Sequence, residues 1–89
     1  MSKLPLISAK ELIKALERIG FKAMRQDGSH VFLRHQDGRT TVVPNHPGDK
    51  LDRGLLGKIL KKDVKISREE FEDLLWYLII YSPINLKQM

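Results

Sequence analysis

Two Asp-Gly steps constrain the fold of this chain more than any other feature. They are Asp27-Gly28 and Asp37-Gly38, and each separates short runs in which apolar and polar residues alternate. Asp-Gly favours the tight two-residue turns of β-hairpins, because the central residues of such turns take positive φ. The sequence therefore predicts a meander of three antiparallel strands at about residues 21–26, 29–36 and 39–44.

A capping motif that occurs twice in the sequence predicts a helix on each side of this meander. Ser8 followed by Glu11, and Ser67 followed by Glu70, match the capping box. In that motif the serine hydroxyl and the glutamate carboxylate each accept a backbone N–H at the helix start. We expect a first helix over about residues 8–19, and a last helix that begins at Ser67 and stops before the following proline.

A short basic helix is predicted between the meander and the last helix. Asp52 suits its N-cap, and the lysines of this segment fall outside its apolar stripe. The stripe consists of Leu55, Leu56, Ile59 and Leu60. The chain is therefore predicted to be an α+β protein in α-β-β-β-α order, with a three-stranded antiparallel sheet and an additional C-terminal helix.

Length and composition limit the chemistry that this chain can perform. With 89 residues we expect one domain whose thin core leaves any site on an open surface. The chain has no cysteine, which excludes disulfide scaffolds, thiolate metal sites and cysteine nucleophiles. Its longest apolar run, residues 74–81, is far shorter than the roughly 20 residues of a membrane helix. We expect a soluble cytoplasmic protein.

Charge is distributed unevenly along the chain. Residues 1–68 hold 15 basic and 7 acidic side chains, whereas residues 69–89 hold 1 basic and 4 acidic ones. Clustered lysine and arginine favour a polyanionic partner, because phosphate contacts release counterions. A solvated surface without any partner explains the same composition equally well.

The strand register follows by counting if each Asp-Gly step forms a two-residue loop. Arg25 then pairs with His30, and Arg34 pairs with Thr41. Because side chains alternate across a sheet, two faces can be separated. The predicted open face carries Arg25, His30, Phe32, Arg34 and Thr41. The predicted core face carries Met24, Val31, Leu33, Thr40 and Val42.

A histidine between arginines on an open sheet suits phosphodiester cleavage. Imidazole titrates near neutral pH and can move the proton that the reaction requires. Guanidinium and ammonium groups can stabilise the charge that builds on the phosphate, and Arg25, Arg34 and Lys50 are the candidates. The alternative is that His30 is an ordinary surface histidine beside a turn.

The other two histidines are assigned differently. His46 lies in the loop 44–48, where it could meet a phosphate together with Lys50 or simply bind backbone. His35 is predicted to face away from His30 and to be structural. The three histidines fall on different faces or elements, so no zinc site and no cofactor are expected.

Six segments, in this order, carry a family resemblance. They are Gly20-Phe21, Arg25-Gln26-Asp27-Gly28-Ser29-His30, Phe32-Leu33-Arg34-His35, Asp37-Gly38-Arg39, Val43-Pro44-Asn45-His46-Pro47-Gly48 and Gly54-Leu55-Leu56-Gly57-Lys58-Ile59-Leu60. Together they resemble the HicA toxin family, over about residues 5–75. The resemblance implies a fold similar to the double-stranded-RNA-binding domain for residues 1–75. Residues 76–89, an apolar helix end and tail, extend beyond the family pattern.

The same resemblance implies a function and a partner. The family's toxins are mRNA interferases, held inactive by a HicB-type antitoxin, and the family's catalytic histidine falls on His30. We therefore expect a metal-independent endoribonuclease acting on mRNA. The alternative is a small RNA-binding domain of the same fold without catalysis. The residues expected to bind RNA are Arg25, Ser29, Phe32, Arg34, His46, Lys50 and Lys58.

The end of the last helix is apolar almost all round, and such a helix end is normally covered. It either packs back on its own domain or forms a surface for self-association. The residues considered for a homodimer are Leu74, Trp76, Tyr77 and Ile80.

Overall fold

Three antiparallel strands, with helices on one face, form the fold. A computed structural model of the chain describes residues 4–80, and side chains as far as residue 78. The elements are α1 (Ala9–Arg18), β1 (Phe21–Asp27), β2 (His30–His35), β3 (Thr40–Pro44), α2 (Arg53–Lys58), a π-helical segment (Ile59–Val64) that continues α2, and α3 (Arg68–Ile80). The sheet order is β1-β2-β3. This arrangement confirms the predicted α+β architecture.

The predicted helix caps are all present. Ser8 Oγ accepts the Glu11 N–H at 3.1 Å, and Glu11 Oε1 accepts the Ser8 N–H at 2.8 Å. The same reciprocal pair joins Ser67 and Glu70 at the start of α3, at 2.9 and 3.0 Å. At α2 the Asp52 carboxylate accepts the Leu55 N–H at 3.1 Å. These bonds satisfy backbone donors that the first turn of a helix leaves without partners.

The Glu11 cap is expected to make the fold sensitive to acid. The Ser8 N–H that donates to the carboxylate lowers the pKa of Glu11 below its ordinary value of 4.5. A lowered pKa in the folded state gives stability that is present above the ordinary value and is lost as pH falls through the lowered one. The free energy of unfolding of Glu11→Gln should therefore fall less between neutral pH and about pH 3 than that of the parent protein. Thermal unfolding at each pH measures this difference, and parallel pH curves for the two proteins would contradict it.

The helices and the sheet enclose one apolar core. Val31, Leu33 and Val43 point from the sheet toward the helices, and the π-helical segment contributes Ile59 and Val64. The largest fully buried side chains are Phe21, Phe71, Leu12, Leu16, Leu33, Leu56, Ile59, Val43 and Val64. Because the described helices cover one face, the other face of the sheet is open to solvent.

Both strand registers differ from the predicted ones: Arg25 pairs with Phe32 instead of His30, a shift of two residues, and Arg34 pairs with Thr40 instead of Thr41, a shift of one. Asp27 pairs with His30, so that the first hairpin loop is Gly28-Ser29, with glycine at its first position and a φ of 61°. This is the glycine placement of type II′ turns, whereas the prediction put Asp27-Gly28 in the loop. In the second hairpin, the His35 N–H donates to Arg39 O at 2.8 Å across a three-residue loop that ends at Gly38. Turn geometry therefore set both registers.

The one-residue shift between β2 and β3 changes which side chains of β3 are buried. Thr41, predicted on the open face, is only 3% exposed, and its hydroxyl donates to Asp63 Oδ2 at 2.8 Å. Thr40 and Val42, predicted in the core, are exposed. A one-residue slip moves every side chain of a strand to the other face, which accounts for all three corrections.

A β-bulge in β1 corrects the prediction for Met24. Ala23 pairs with Leu33 and Arg25 pairs with Phe32, so that Met24 is an extra residue on β1. Met24 is 59% exposed instead of buried in the core. Without the bulge, Arg25 would follow Ala23 in strict alternation and would face the helices. The bulge therefore places Arg25 on the open face.

The end of α3 is only partly packed. Leu74 lies partly buried against the core, whereas Trp76 is 63% exposed. Tyr77 is 39% exposed, with the Arg18 guanidinium 4.0 Å from its ring centroid. The Ile80 side chain and residues 81–89 of the predicted tail lie outside the described residues.

None of the helices described between residues 4 and 80 has both the length and the apolar character that crossing a membrane requires.

Candidate functional site

His30 is the first residue of β2 and stands exposed to solvent. Its strand neighbours are Asp27 on β1 and Pro44 on β3. The backbone on its N-terminal side is fixed: Gln26 Nε2 donates to Gly28 O at 3.0 Å, and the Asn45 N–H donates to Ser29 O at 2.7 Å. Hydrogen bonds therefore fix the backbone that precedes His30, while the imidazole ring is accessible to a large substrate.

A row of cationic and aromatic side chains continues from His30 along the open face. We call His30, Arg25, Phe32 and Arg34 the open-face row. Arg25 pairs with Phe32, and its guanidinium carbon lies 4.2 Å from the centroid of the Phe32 ring. Phe32 and Arg34 follow His30 at intervals of two residues, which is about 7 Å per step along a strand. The structure thus brings these four predicted residues together.

The loop after β3 lies beside His30, because Pro44 is the strand partner of His30. His46 and Lys50 are both exposed in this loop, and Lys50 Nζ lies 3.9 Å from Glu11 Oε1. A shallow pocket of about 130 Å³ separates the loop from α2. Asp52 already holds the Leu55 N–H at the start of α2, so this amide is not available to a phosphate.

Two predicted RNA-binding residues lie apart from the open-face row. Ser29 is half-buried in the first hairpin loop, where its carbonyl accepts the Asn45 N–H. Lys58 is exposed at the end of α2, in the helix layer that covers the other face of the sheet. The site as predicted is therefore spread over two sides of the molecule.

His35 has a structural environment. Its Nε2–H donates to Ile19 O at 3.0 Å, and its Nδ1 accepts the Asp37 N–H at 3.1 Å. The same Nδ1 also lies 3.1 Å from Asp37 Oδ1. The ring also meets Phe21 edge-on, with the centroids 5.2 Å apart. Over residues 4–80 no three histidine, aspartate or glutamate side chains gather as metal ligands would.

Sequence reasoning missed the features that hold this site together. These are the bulge at Met24, the Gln26 bond to the hairpin loop and the Asn45 bond to Ser29. Gln26 is not one of the short polar residues that commonly bind turn backbone, so its bond to the loop carried no local signal. No sequence pattern marks the bulge.

The fold and the site define a class: a small α+β protein that presents a histidine and arginines on the open face of a sheet. The family model for the HicA toxin of bacterial toxin-antitoxin systems matches residues 9–64. This match covers more than half of the chain, and the chain therefore belongs to the HicA toxin family. It is the toxin of a toxin-antitoxin pair, with an antitoxin as its partner. A comparison with curated proteins gave no match.

Proposed function

We propose that this toxin is a metal-independent endoribonuclease that cleaves mRNA, with His30 as its catalytic residue. The exposed position of His30 at the end of the open-face row carries this proposal. A transcript can approach that face without entering a cavity. Membership of the toxin family supports the biological role, since the destruction of mRNA in the cytoplasm arrests growth.

The chemistry follows from the groups in the row. In RNA the 2′-oxygen attacks the adjacent phosphorus while the bond to the 5′-oxygen breaks, which leaves a cyclic phosphate and a 5′-hydroxyl. The 2′-hydroxyl loses a proton and the departing 5′-oxygen gains one. An imidazole can perform either transfer, and such general acid-base help contributes roughly 10² to 10⁴ in rate. The Arg25 guanidinium, two residues along the row, is placed to stabilise charge on the phosphate.

The pairing of Arg25 with Phe32 suggests how a base is held. The Arg25 guanidinium already lies over the Phe32 ring, so a base stacks on the guanidinium plane and Phe32 supports it from below. Arg34 then binds the next phosphate along the strand. His46 and Lys50 bind phosphates where RNA leaves His30 over the loop, and Ser29 contacts the RNA beside them. Lys58 binds a phosphate on the helix layer, apart from the open-face row.

One assay separates an enzyme from a binding domain. Purified protein is incubated with end-labelled mRNA, with and without the chelator EDTA. We expect the same fragments, ending in 5′-hydroxyl groups, in both reactions, because imidazole and guanidinium groups carry the chemistry. Retarded but intact RNA would identify a non-catalytic RNA-binding domain. Loss of cleavage in EDTA that added metal restores would contradict the metal-independent mechanism.

A HicB-type antitoxin with an acidic surface is the partner that fits the open-face row. A cationic face that is lethal when free must be masked, and charge complementarity accelerates its capture. We expect this antitoxin to cover His30 and to compete with RNA.

A further inference from the structure

A second cationic surface lies on the helix layer, away from the open-face row. Four exposed lysines, Lys58, Lys61, Lys62 and Lys65, form this lysine ridge along α2 and the π-helical segment. Residues 58–68 contain five basic side chains and one acidic one, Asp63. Asp63 accepts the Thr41 hydroxyl bond and is half-buried against β3. None of the four lysines forms an ion pair with another residue of the described chain.

Two backbone features coincide with the ridge. The π-helical segment, Ile59–Val64, carries Lys61 and Lys62, and π-helical turns are rare and frequently lie at functional sites. Lys65 follows with a φ of 62°, and every other positive φ among the described residues belongs to a glycine. Glycine would adopt this conformation without strain. Lys65 ends the segment in the left-handed conformation common at helix C-termini, and its N–H and that of Ile66 both donate to Leu60 O. The backbone therefore holds its side chain at the end of the ridge.

The position of the ridge relative to His30 suggests that one polymer reaches both. The Thr41–Asp63 bond and a bond from Arg39 to Val64 O join the end of the ridge to the start of β3. His30 pairs with Pro44 at the other end of β3, about 13 Å away along the strand. Since β3 is an edge strand, a chain on the open face has a path to the ridge around that edge.

We propose that the lysine ridge is a second RNA site, which binds backbone phosphates of the transcript several nucleotides from the cleaved bond. The proposal rests on RNA being the substrate but not on His30 being catalytic. An RNA strand fits better than a compact acidic protein, because a flexible strand that lies on the open face can also pass around the β3 edge to the ridge. Lysines on flexible stems also suit phosphates in any sequence.

The test measures binding of a fluorescent oligoribonucleotide that is 2′-O-methylated and cannot be cleaved. We expect Lys61→Gln/Lys62→Gln to lower the slope of log affinity against log salt by about 1.4, because each single-strand phosphate contact contributes about 0.7. Affinity at low salt should fall about fivefold or more. A short oligonucleotide that cannot reach the ridge should bind both proteins equally. The matched control is Lys10→Gln/Lys14→Gln, which removes the same charge from exposed positions of α1 and should leave the slope unchanged.

Lys65→Gly separates a binding role from a structural one. We expect the slope of log affinity against log salt to fall by about 0.7. Tm should be unchanged or higher, since glycine relieves the strained φ. Slopes equal to that of the control pair in both ridge variants would overturn the proposal. Unchanged RNA binding with weakened antitoxin binding would overturn it in favour of a protein partner. Because the oligonucleotide is never cut, these results do not depend on whether His30 proves to be catalytic.

Discussion

Replacing His30 with alanine is expected to slow mRNA cleavage by at least about 100-fold and to leave the protein folded. The rate falls because the proton transfer loses its imidazole. The fold persists because the ring is exposed, whereas the backbone bonds that hold the turn come from Gln26 and Asn45. Cleavage is followed on denaturing gels, folding by circular dichroism, and toxicity by growth after induction.

The matched control for this variant is His46→Ala, which removes another exposed histidine from the neighbouring loop. We expect it to weaken RNA binding, and so to raise KM, with little change in kcat. His30→Ala should still bind RNA, because the arginines of the row remain. Cleavage by His30→Ala at the rate of the parent protein would refute the assignment of His30.

Gly20→Ala is expected to lower the free energy of unfolding by about 3 kcal/mol. Gly20 has a φ of 104°, which L-residues adopt at a cost of about 1–2 kcal/mol. A Cβ at this position would also lie 2.8 Å from His35 Nε2. The ring cannot yield freely, since both of its nitrogens are hydrogen-bonded and Phe21 packs against it. Displacing it breaks the bond to Ile19 O, and Tm should fall by more than about 10 °C.

Gly38→Ala isolates the contribution of the collision. Gly38 has nearly the same φ, 100°, but an added Cβ would meet no atom within 4 Å. The free energy of unfolding of this variant should therefore fall only by the part that arises from backbone strain. Combining Gly20→Ala with His35→Ala should abolish the destabilisation that Gly20→Ala shows beyond Gly38→Ala, and a double-mutant cycle measures this coupling. Equal destabilisation by the two glycine substitutions would show that His35 does not constrain Gly20.

Much of the fold could be predicted because its signals are local. The capping boxes at Ser8 and Ser67 involve residues three apart. The buried face of β2 could be chosen because Val31 and Leu33 belong to the more uniformly apolar face, whereas Phe32 shares its face with His30 and Arg34. His30 could be placed on the open face for the same reason. These signals do not depend on how strands pair with each other.

The rest required information that lies outside any one segment. Whether the second hairpin loop has two residues or three is decided by the whole hairpin, and the three-residue loop moved Thr41 from the open face into the core. The bulge at Met24 combines two needs, burial of Phe21 and exposure of Arg25, that strict alternation along β1 does not meet. The separation of Lys58 from His30 likewise follows from the packing of α2, which no single motif encodes.

The bulge also divides β1 into two halves that can change independently. The first half is tied to the interior through Phe21, and the second half carries Arg25 to the surface that a ligand meets. Because the extra residue reverses which face successive side chains of β1 occupy, substitutions after Met24 can alter what this toxin recognises without repacking its interior. Such an insertion lets evolution, or an engineer, retune specificity on a scaffold that stays intact.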